Sequence, residues 1–309
     1  MNYDNILRAD EKYALYLRNL YQKAGYSQYK MSKFEEYDLY LANKNFLQNE
    51  TVITFTSPRG QLMALKPDIT LSIVKNFAES GESAKKVHYN ENVYRATSEG
   101  DLQEQIQIGV ENIGDITVSE TAKMLSLASE SLSAVSEDFI ISISHLKVVT
   151  DLLSEMNLSD DIKASITRRL AHKNAHEIIS ICEHNGVSED LINKLITLVK
   201  IYGSFEETLP IIKEISGSDA VSELEKVYKQ LKSENLHNSF RLDFSIMSDL
   251  DYYNGIIFQG YVSGVPTAVL SGGRYDNLIR KFNKKEDAIG FAIYLDKLQR
   301  CFNDDEEKI

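Results

Sequence analysis

The chain has 309 residues, 43% of them hydrophobic, and carries a formal net charge of −12 at pH 7. This length supplies enough apolar material for one large domain, or for one domain with a helical annex. Nucleic-acid-binding proteins usually need a basic face for the phosphates, so the acidic balance argues against a nucleic-acid partner. No apolar run approaches the roughly 18 residues of a membrane span, so no membrane partner is expected.

The cysteine content and the first residues indicate the compartment. The two cysteines, Cys182 and Cys301, lie far apart in the sequence. So low a content argues against a disulfide framework or a thiolate zinc site and favours a reducing environment. The first residues, MNYDNILRADEKY, lack the apolar core of a signal peptide. We therefore expect a cytoplasmic protein.

The first half of the chain mixes helices with strands that occur in pairs. The hydrophobic periodicity predicts, in chain order, a helix at Asp10–Lys23, strands at Thr51–Thr56 and Gln61–Leu65, a helix from Pro67, strands at Val87–Arg95 and Gln103–Ile113, a helix at Ser119–Val135 and a strand at Phe139–Ser144. Pro67 suits the first position of a helix, because proline is well tolerated there.

The second half begins with a long helical segment, after which strands return. The pattern is helical from about Leu146 to Ser233, and the chain ends with a helix near Leu295–Phe302. The strands between them are predicted at Phe240–Ile246, Tyr252–Val262 and Thr267–Leu270. Strands in runs favour an α+β fold, with helices packed on an antiparallel sheet. We therefore predict a core formed by residues 1–145 and 236–309, interrupted by a helical insertion at 146–235.

Three segments carry more polar residues than simple packing requires. They are Leu65–Thr70, the strand face that presents Gln105, Gln107 and Glu111, and Leu250–Gly255. Each also has a plain structural interpretation: a helix N-terminus, a solvated strand face, and packing tyrosines with solvated hydroxyls. Ser271–Asp276 is typical of a tight backbone turn, in which glycine allows positive φ or close approach to a ligand.

The order of these segments and their amino-acid sequences resemble those of histidyl-tRNA synthetases and their paralogues. The similar stretches are, in chain order, Leu65–Thr70, Val93–Arg95 with Gln107–Glu111 (motif 2), Leu250–Gly255 (the DYY-type histidine signature), Gly272–Asp276 (GGRYD) and Ala288–Ala292 (AIGFA, the start of motif 3). The resemblance covers roughly Arg8–Phe302. It implies the class II aminoacyl-tRNA synthetase fold, an antiparallel sheet flanked by helices, here with an inserted helical subdomain.

The sequence departs from the synthetases at the groups that handle ATP. By the resemblance, Asp101, Gln103 and Lys297 stand where synthetases have arginines in motifs 2 and 3. Ser248 replaces the arginine of the histidine signature, and Tyr294 replaces a glycine that gives ATP room. Planar guanidinium groups stabilise the charge of the adenylate transition state, so their loss predicts a chain without catalytic residues. The sequence ends just after motif 3, so we also expect no anticodon-binding domain.

The side of the site that holds the amino acid is better preserved. The resemblance implies seven histidine-binding residues: Asp68, Thr70 and Gln107 for the α-ammonium group, Arg95 for the carboxylate, and Glu111, Tyr252 and Tyr253 for the imidazole. A zwitterion needs an acid, a base and neutral hydrogen-bond partners in one pocket. A vestigial pocket is the alternative. Neither a metal nor another cofactor is expected.

A chain that keeps a histidine pocket without ATP chemistry resembles the regulatory subunits of ATP phosphoribosyltransferase. Arg169–Lys173 and Tyr202–Gly203 are similar to that family's helical insertion. The resemblance implies a hetero-octamer with a short-form catalytic subunit, self-association as a dimer, and free histidine as a feedback inhibitor of the first step of histidine biosynthesis. The alternatives are a shortened active histidyl-tRNA synthetase and a synthetase-like amino-acid-binding module that regulates another enzyme.

Overall fold

The computed structural model describes residues 6–44, 47, 52–97, 99–247 and 252–306. Within these ranges the chain is α+β, as the sequence predicts. The strands are β1 (Ser27–Gln28), β2 (Phe34–Glu36), β3 (Thr54–Thr56), β4 (Leu62–Leu65), β5 (Lys85–Ala96), β6 (Leu102–Gly114), β7 (Phe139–His145), β8 (Tyr202–Gly203), β9 (Phe240–Asp243), β10 (Ile256–Val262), β11 (Leu270–Arg274) and β12 (Asp287–Tyr294). The α-helices are α1 (Ala9–Lys23), α2 (Tyr37–Ala42), α3 (Thr70–Ser80), α4 (Val118–Ser133), α5 (Leu146–Glu155), α6 (Asp160–Ala171), α7 (Ala175–His184), α8 (Glu189–Lys200), α9 (Phe205–Ile215), α10 (Asp219–Ser233), α11 (Asp276–Lys281) and α12 (Gln299–Glu306).

A large sheet organises the described part of the chain. Nine strands follow the order β1-β5-β6-β12-β11-β10-β7-β9-β8. The six from β5 to β7 in that order run antiparallel to their neighbours. The sheet is mixed towards its sides, because β1 is parallel to β5 and β9 is parallel to β7. The predicted antiparallel sheet is thus confirmed for its centre.

Strand β6 separates two hydrophobic clusters, because it is buried on both faces. Ile108 and Val110 on one face pack into a cluster with residues of α1, α4 and the helices from α5 to α10. Ile113 on the other face joins a smaller cluster with residues of α3 and α11. Gln107 and Glu111 share this second face, since side chains alternate along a strand. The side chains of Gln107 and Glu111 therefore lie on the α3 side of the sheet, next to the second cluster.

The β3–β4 hairpin comes directly before helix α3 in the chain. It pairs with β2 in a small antiparallel sheet whose order is β2-β4-β3. The predicted strand began at Thr51, which lies outside the described residues, and the observed strand begins at Thr54. The backbone N–H of Tyr94 donates to the Lys66 carbonyl, so the segment after β4 is fixed against β5. This contact places the start of α3 beside the central sheet.

The helical segment from α5 to α10 packs directly on the large sheet. Its residues Leu195, Ile212 and Leu224 belong to the same hydrophobic cluster as Ile141 and Phe258 of the sheet. The short strand β8 inside this segment also pairs with β9. The division into a core at 1–145 and 236–309 and an insertion at 146–235 stays a prediction. Among the helices of the described residues, none combines the length and apolar character that crossing a bilayer requires.

The sequence prediction is wrong for the neighbouring strands β11 and β12. Ser271–Arg274 belongs to β11 and is not a tight turn, and β12 was not predicted as a strand. Glycine weakens the strand signal of a sequence and often marks a place where two backbones approach closely. A Cβ on Gly272 would lie 2.4 Å from the Gly290 carbonyl oxygen. At Gly272 the close approach is to the neighbouring strand β12, and an approach to a ligand stays a prediction.

Candidate functional site

The structure brings all seven predicted histidine-binding residues to one pocket of about 300 Å³. They come from separate elements: Asp68 and Thr70 from the start of α3, Arg95 from the end of β5, Gln107 and Glu111 from β6, and Tyr252 and Tyr253 from the segment before β10. Small-ligand pockets begin at about this volume. Tyr252 and Tyr253 were expected within a strand, whereas the observed strand begins at Ile256.

Glu111 is the most deeply buried acid of the pocket, with 2% of its surface exposed. Its Oε1 accepts a hydrogen bond of 2.6 Å from the Thr70 hydroxyl. Its Oε2 accepts one of 2.6 Å from the Tyr275 hydroxyl. Burial raises the pKa of Glu111 to about 8, although both hydroxyls act in the opposite direction. The interpretation of this strand face as solvated is therefore wrong for Glu111, and for Gln107, which is also buried.

Asp68 combines a structural and an electrostatic role. Its Oδ1 accepts a hydrogen bond of 2.7 Å from the backbone N–H of Leu71, so it satisfies one of the free donors at the start of α3. Burial raises the pKa of Asp68, while that hydrogen bond and the nearby Arg95 guanidinium lower it. Asp68 therefore stabilises the helix N-terminus and also lines the pocket.

Two cations line the same pocket. The Arg95 Nε donates to the Pro67 carbonyl at 3.2 Å, which fixes the guanidinium beside the segment that carries Asp68. The Lys297 Nζ donates to the Ala268 carbonyl at 2.8 Å and lies 4.4 Å from the centre of the Tyr294 ring. Burial, with a contribution from Arg95, lowers the pKa of Lys297. The pocket is thus lined by two acidic residues, Asp68 and Glu111, and two basic ones. Such a lining suits a zwitterion.

Tyrosine rings form the wall nearest to Glu111. The Tyr252 ring lies 4.6 Å from Tyr253 and 5.9 Å from Tyr275, measured between ring centres. Tyr89 also lines the pocket and is buried. Such rings provide an apolar surface for a flat ligand group together with polar hydroxyls. The packing interpretation of the tyrosine pair is therefore right for the rings and does not exclude a binding role.

Among the residues of the site that were missed from the sequence, Tyr275 and Gly290 adjoin Glu111. Tyr275 lies in the GGRYD motif and holds Glu111, but the motif itself gives no partner for its hydroxyl. Gly290 lies in the AIGFA motif and is paired with Glu111 in the register of β12 and β6. A Cβ on Gly290 would lie 1.7 Å from the Glu111 Oε2, so only glycine leaves room for this carboxylate. Ser248, which was predicted to replace an arginine of the histidine signature, lies outside the described residues.

The raised pKa of Glu111 predicts a pH dependence of stability. The folded pKa is about 8 and the ordinary value is 4.5, so the folded chain binds this proton more tightly than the unfolded chain. The contribution of Glu111 to the free energy of unfolding is therefore largest at low pH and falls as pH rises from about 5 to 8. The slope is roughly 1 kcal/mol per pH unit. Glu111→Gln, which does not titrate, should remove this slope.

Urea unfolding of wild type and Glu111→Gln at pH 5, 6.5 and 8 measures the effect. The difference in unfolding free energy between the two proteins isolates residue 111 from all other titrating groups. A difference that stays constant across the three pH values would contradict the raised pKa. Glu130→Gln, at an exposed position of α4, is the matched control and should leave the wild-type slope unchanged.

The comparisons with known proteins agree with this fold and pocket. A family model described as histidyl-tRNA synthetase matches residues 6–298. The ATP phosphoribosyltransferase regulatory subunit of Clostridium kluyveri is 30% identical over 295 residues, which cover 91% of this chain and 74% of that protein. An ATP phosphoribosyltransferase regulatory subunit/histidyl-tRNA synthetase structure from Bacillus halodurans superposes with a TM-score of 0.86 at 24% identity, over 95% of this chain and 79% of that one.

A second solved structure is an ATP phosphoribosyltransferase complex from Thermotoga maritima. One of its chains matches with a TM-score of 0.75 at 20% identity, over 93% of this chain and 97% of that one. At such identities the likeness concerns the fold alone.

The sheet, the covering helices and the position of the pocket define a class II aminoacyl-tRNA synthetase-like protein. The chain belongs to the histidyl-tRNA synthetase family and, within it, to the ATP phosphoribosyltransferase regulatory subunits. The family that the sequence motifs predicted is thereby confirmed. The binding of histidine by the seven residues stays a prediction.

Proposed function

We propose that this chain joins a short-form catalytic ATP phosphoribosyltransferase subunit, and that free histidine in the pocket inhibits the complex. The relatives are named regulatory subunits, and one structural neighbour is a complex of the transferase, which supports the partnership. The proposed assembly is a hetero-octamer that contains dimers of this chain. No disulfide joins Cys182 and Cys301, which supports a location in the reducing cytoplasm.

The single observation that carries the sensor role is the composition of the pocket. Asp68 and Glu111 face a cavity that Arg95 and Lys297 also line, among neutral hydrogen-bonding side chains. A ligand with one positive and one negative group can therefore be matched at both ends. Glu111 provides an acceptor for an imidazole N–H, next to the tyrosine wall. A free amino acid with an aromatic, hydrogen-bonding side chain fits this lining best.

The active-synthetase alternative is weaker because the pocket offers little for a triphosphate. Asp101 and Gln103, at the positions of the motif 2 arginines, are exposed and carry no positive charge. The Lys297 ammonium is already bonded to the Ala268 carbonyl, whereas an arginine would present a planar fork of donors. The third possibility, a module that regulates another enzyme, is disfavoured by the names of the relatives.

Replacing Glu111 by Ala should weaken histidine binding tenfold to a hundredfold. Above its pKa of about 8 Glu111 is ionised, and there a hydrogen bond to a charged group contributes about 1.5–3 kcal/mol, where each 1.4 kcal/mol corresponds to about a factor of ten in affinity. Calorimetric titration of histidine into wild type and Glu111→Ala measures the change. Inhibition of the reconstituted complex by histidine should weaken in the same proportion, because both measurements report the same site.

The matched control is Glu130→Ala, which removes an exposed glutamate of α4 and should leave the affinity unchanged. Histidine binding that persists in Glu111→Ala at the wild-type affinity would place the effector site elsewhere in the complex. If neither the chain nor its complex binds histidine, the sensor role is wrong and the pocket is vestigial.

A further inference from the structure

We propose that Lys66 is a positioning residue that neutralises Glu91 beside the pocket and thereby makes the pocket prefer a zwitterion to a cation. The Lys66 Nζ lies 2.9 Å from the Glu91 Oε2. Neither residue was among the seven predicted to bind histidine. Because this ion pair adjoins the same pocket, the inference rests on the proposed function.

Lys66 is fully enclosed by the protein. Its exposed fraction is 0%, and within the described part of the chain no other lysine or arginine is buried. A buried cation is costly unless an acid pairs with it, and Glu91 provides that acid. Removing one member of such a pair leaves the charge of the other without compensation. The effect of each charge on a ligand therefore depends on whether its partner is present.

The register of the central sheet places this ion pair next to the pocket. Glu91 is directly opposite Gln107 in the pairing of β5 with β6, so both side chains leave the sheet on the same face. Gln107 lines the pocket, as does Arg95. Arg95 shares the face of Glu91, because the two positions on β5 differ by an even number of residues. A change of charge at Glu91 would therefore act near both residues that were predicted to hold the charged groups of the ligand.

Backbone contacts hold Lys66 in this position. Its N–H donates to the Lys33 carbonyl at 3.1 Å, and its carbonyl accepts from the Tyr94 N–H at 2.9 Å. The next carbonyl along the chain, that of Pro67, accepts from the Arg95 Nε at 3.2 Å. The segment before α3 is thus attached to β5 by backbone and side-chain contacts together. The Lys66 ammonium group therefore has little freedom to leave the ion pair.

The charge of the ion pair distinguishes between two kinds of ligand. Without Lys66, the Glu91 carboxylate would add a negative charge beside Gln107, which would attract a ligand ammonium group and repel a ligand carboxylate. Histidine carries both groups. Histidinol has a hydroxymethyl group in place of the carboxylate and is a cation at pH 7. The ratio of histidine affinity to histidinol affinity therefore reports whether Glu91 is neutralised.

The test measures this ratio by calorimetric titration at pH 7, in the full chain complexed with its cognate short catalytic subunit. Lys66→Met removes the charge and keeps most of the apolar stem. The ratio should fall about tenfold, because the Glu91 carboxylate is left without its partner. Lys66→Arg restores a cation and should keep the ratio close to the wild-type value. An unchanged ratio in Lys66→Met would overturn the inference.

Lys66→Met combined with Glu91→Gln separates the effect of charge from a structural effect. Neither charge is present in the double variant, and replacing a buried ion pair as a whole is less costly than breaking it. The ratio should return towards the wild-type value, whereas a ratio that stays low would show a merely structural role of Lys66 and overturn the inference. Should Lys66→Met not fold, Glu91→Gln gives the test with the opposite sign. Lys66 is then the uncompensated charge, so the ratio should rise, and a ratio that does not rise contradicts the proposal.

Lys86→Met is the matched control, because it breaks an ion pair of the same strand on its opposite face, where the Lys86 Nζ lies 2.6 Å from the Glu120 Oε2. This variant should leave both affinities at their wild-type values. If wild type binds histidine and the Lys66 variants keep its ratio, the proposed function stands and the positioning role fails. If wild type binds no histidine, the proposed function fails, and this inference fails with it.

Discussion

We expect no histidine-dependent exchange of pyrophosphate into ATP by this chain. Formation of an adenylate requires positive charge at the α-phosphate, and the positions of Asp101 and Gln103 provide none. Lys297 is held by the Ala268 carbonyl and lies over the Tyr294 ring, so it is not a substitute for a bidentate arginine. Losing one preorganised donor to a transition state typically costs on the order of a hundredfold in rate. The combined loss should place the exchange below detection.

An active histidyl-tRNA synthetase in the same assay gives the reference rate. The chain should be assayed with saturating histidine and ATP, both alone and with its catalytic partner, so that assembly cannot account for the inactivity. Exchange at a rate typical of synthetases would show that the chain is an enzyme. Asp101→Arg combined with Gln103→Arg should not restore the rate, because Lys297 and Tyr294 still occupy the same pocket.

Formation of phosphoribosyl-ATP should depend on assembly with the short catalytic subunit. The chain alone should produce none, because its sequence shows no motif for a phosphoribosyl diphosphate. Mixing the two chains should raise the activity of the partner well above the activity of the partner alone. Under the proposed mechanism, histidine lowers this activity by a difference in free energy between two states of the complex. Steady-state rates across a titration of this chain measure the gain.

Glu111→Ala separates activation from inhibition in the same experiment. The variant should still activate the partner, because residue 111 lies in a pocket within this chain, and it should lose sensitivity to histidine. Co-purification and gel filtration of the mixture report whether a complex forms. The regulatory function fails if the cognate subunits form no complex and the partner gains no activity.

The elements with strong periodicity could be predicted from the sequence. The helices α1 and α4 and the strands β5, β6 and β7 agree with the predicted ones to within about two residues. Their hydrophobic patterns repeat with one clear period over many residues. Strand β11 was misassigned as a turn because it carries the adjacent glycines Gly272 and Gly273, which weaken the strand signal, and β12 was not predicted as a strand.

By itself, the sequence determined the family, the loss of the arginines and the residue types of a zwitterion pocket, because these are properties of motifs read in order. The tertiary structure alone decided that Glu111 is buried, that Tyr275 and Thr70 hold it, and that Gly290 leaves it space. These contacts join residues separated by up to 179 positions (290 minus 111) and depend on the register of β6 and β12. A one-residue change of register would turn the opposite face of a strand to the pocket, and local sequence does not fix that register.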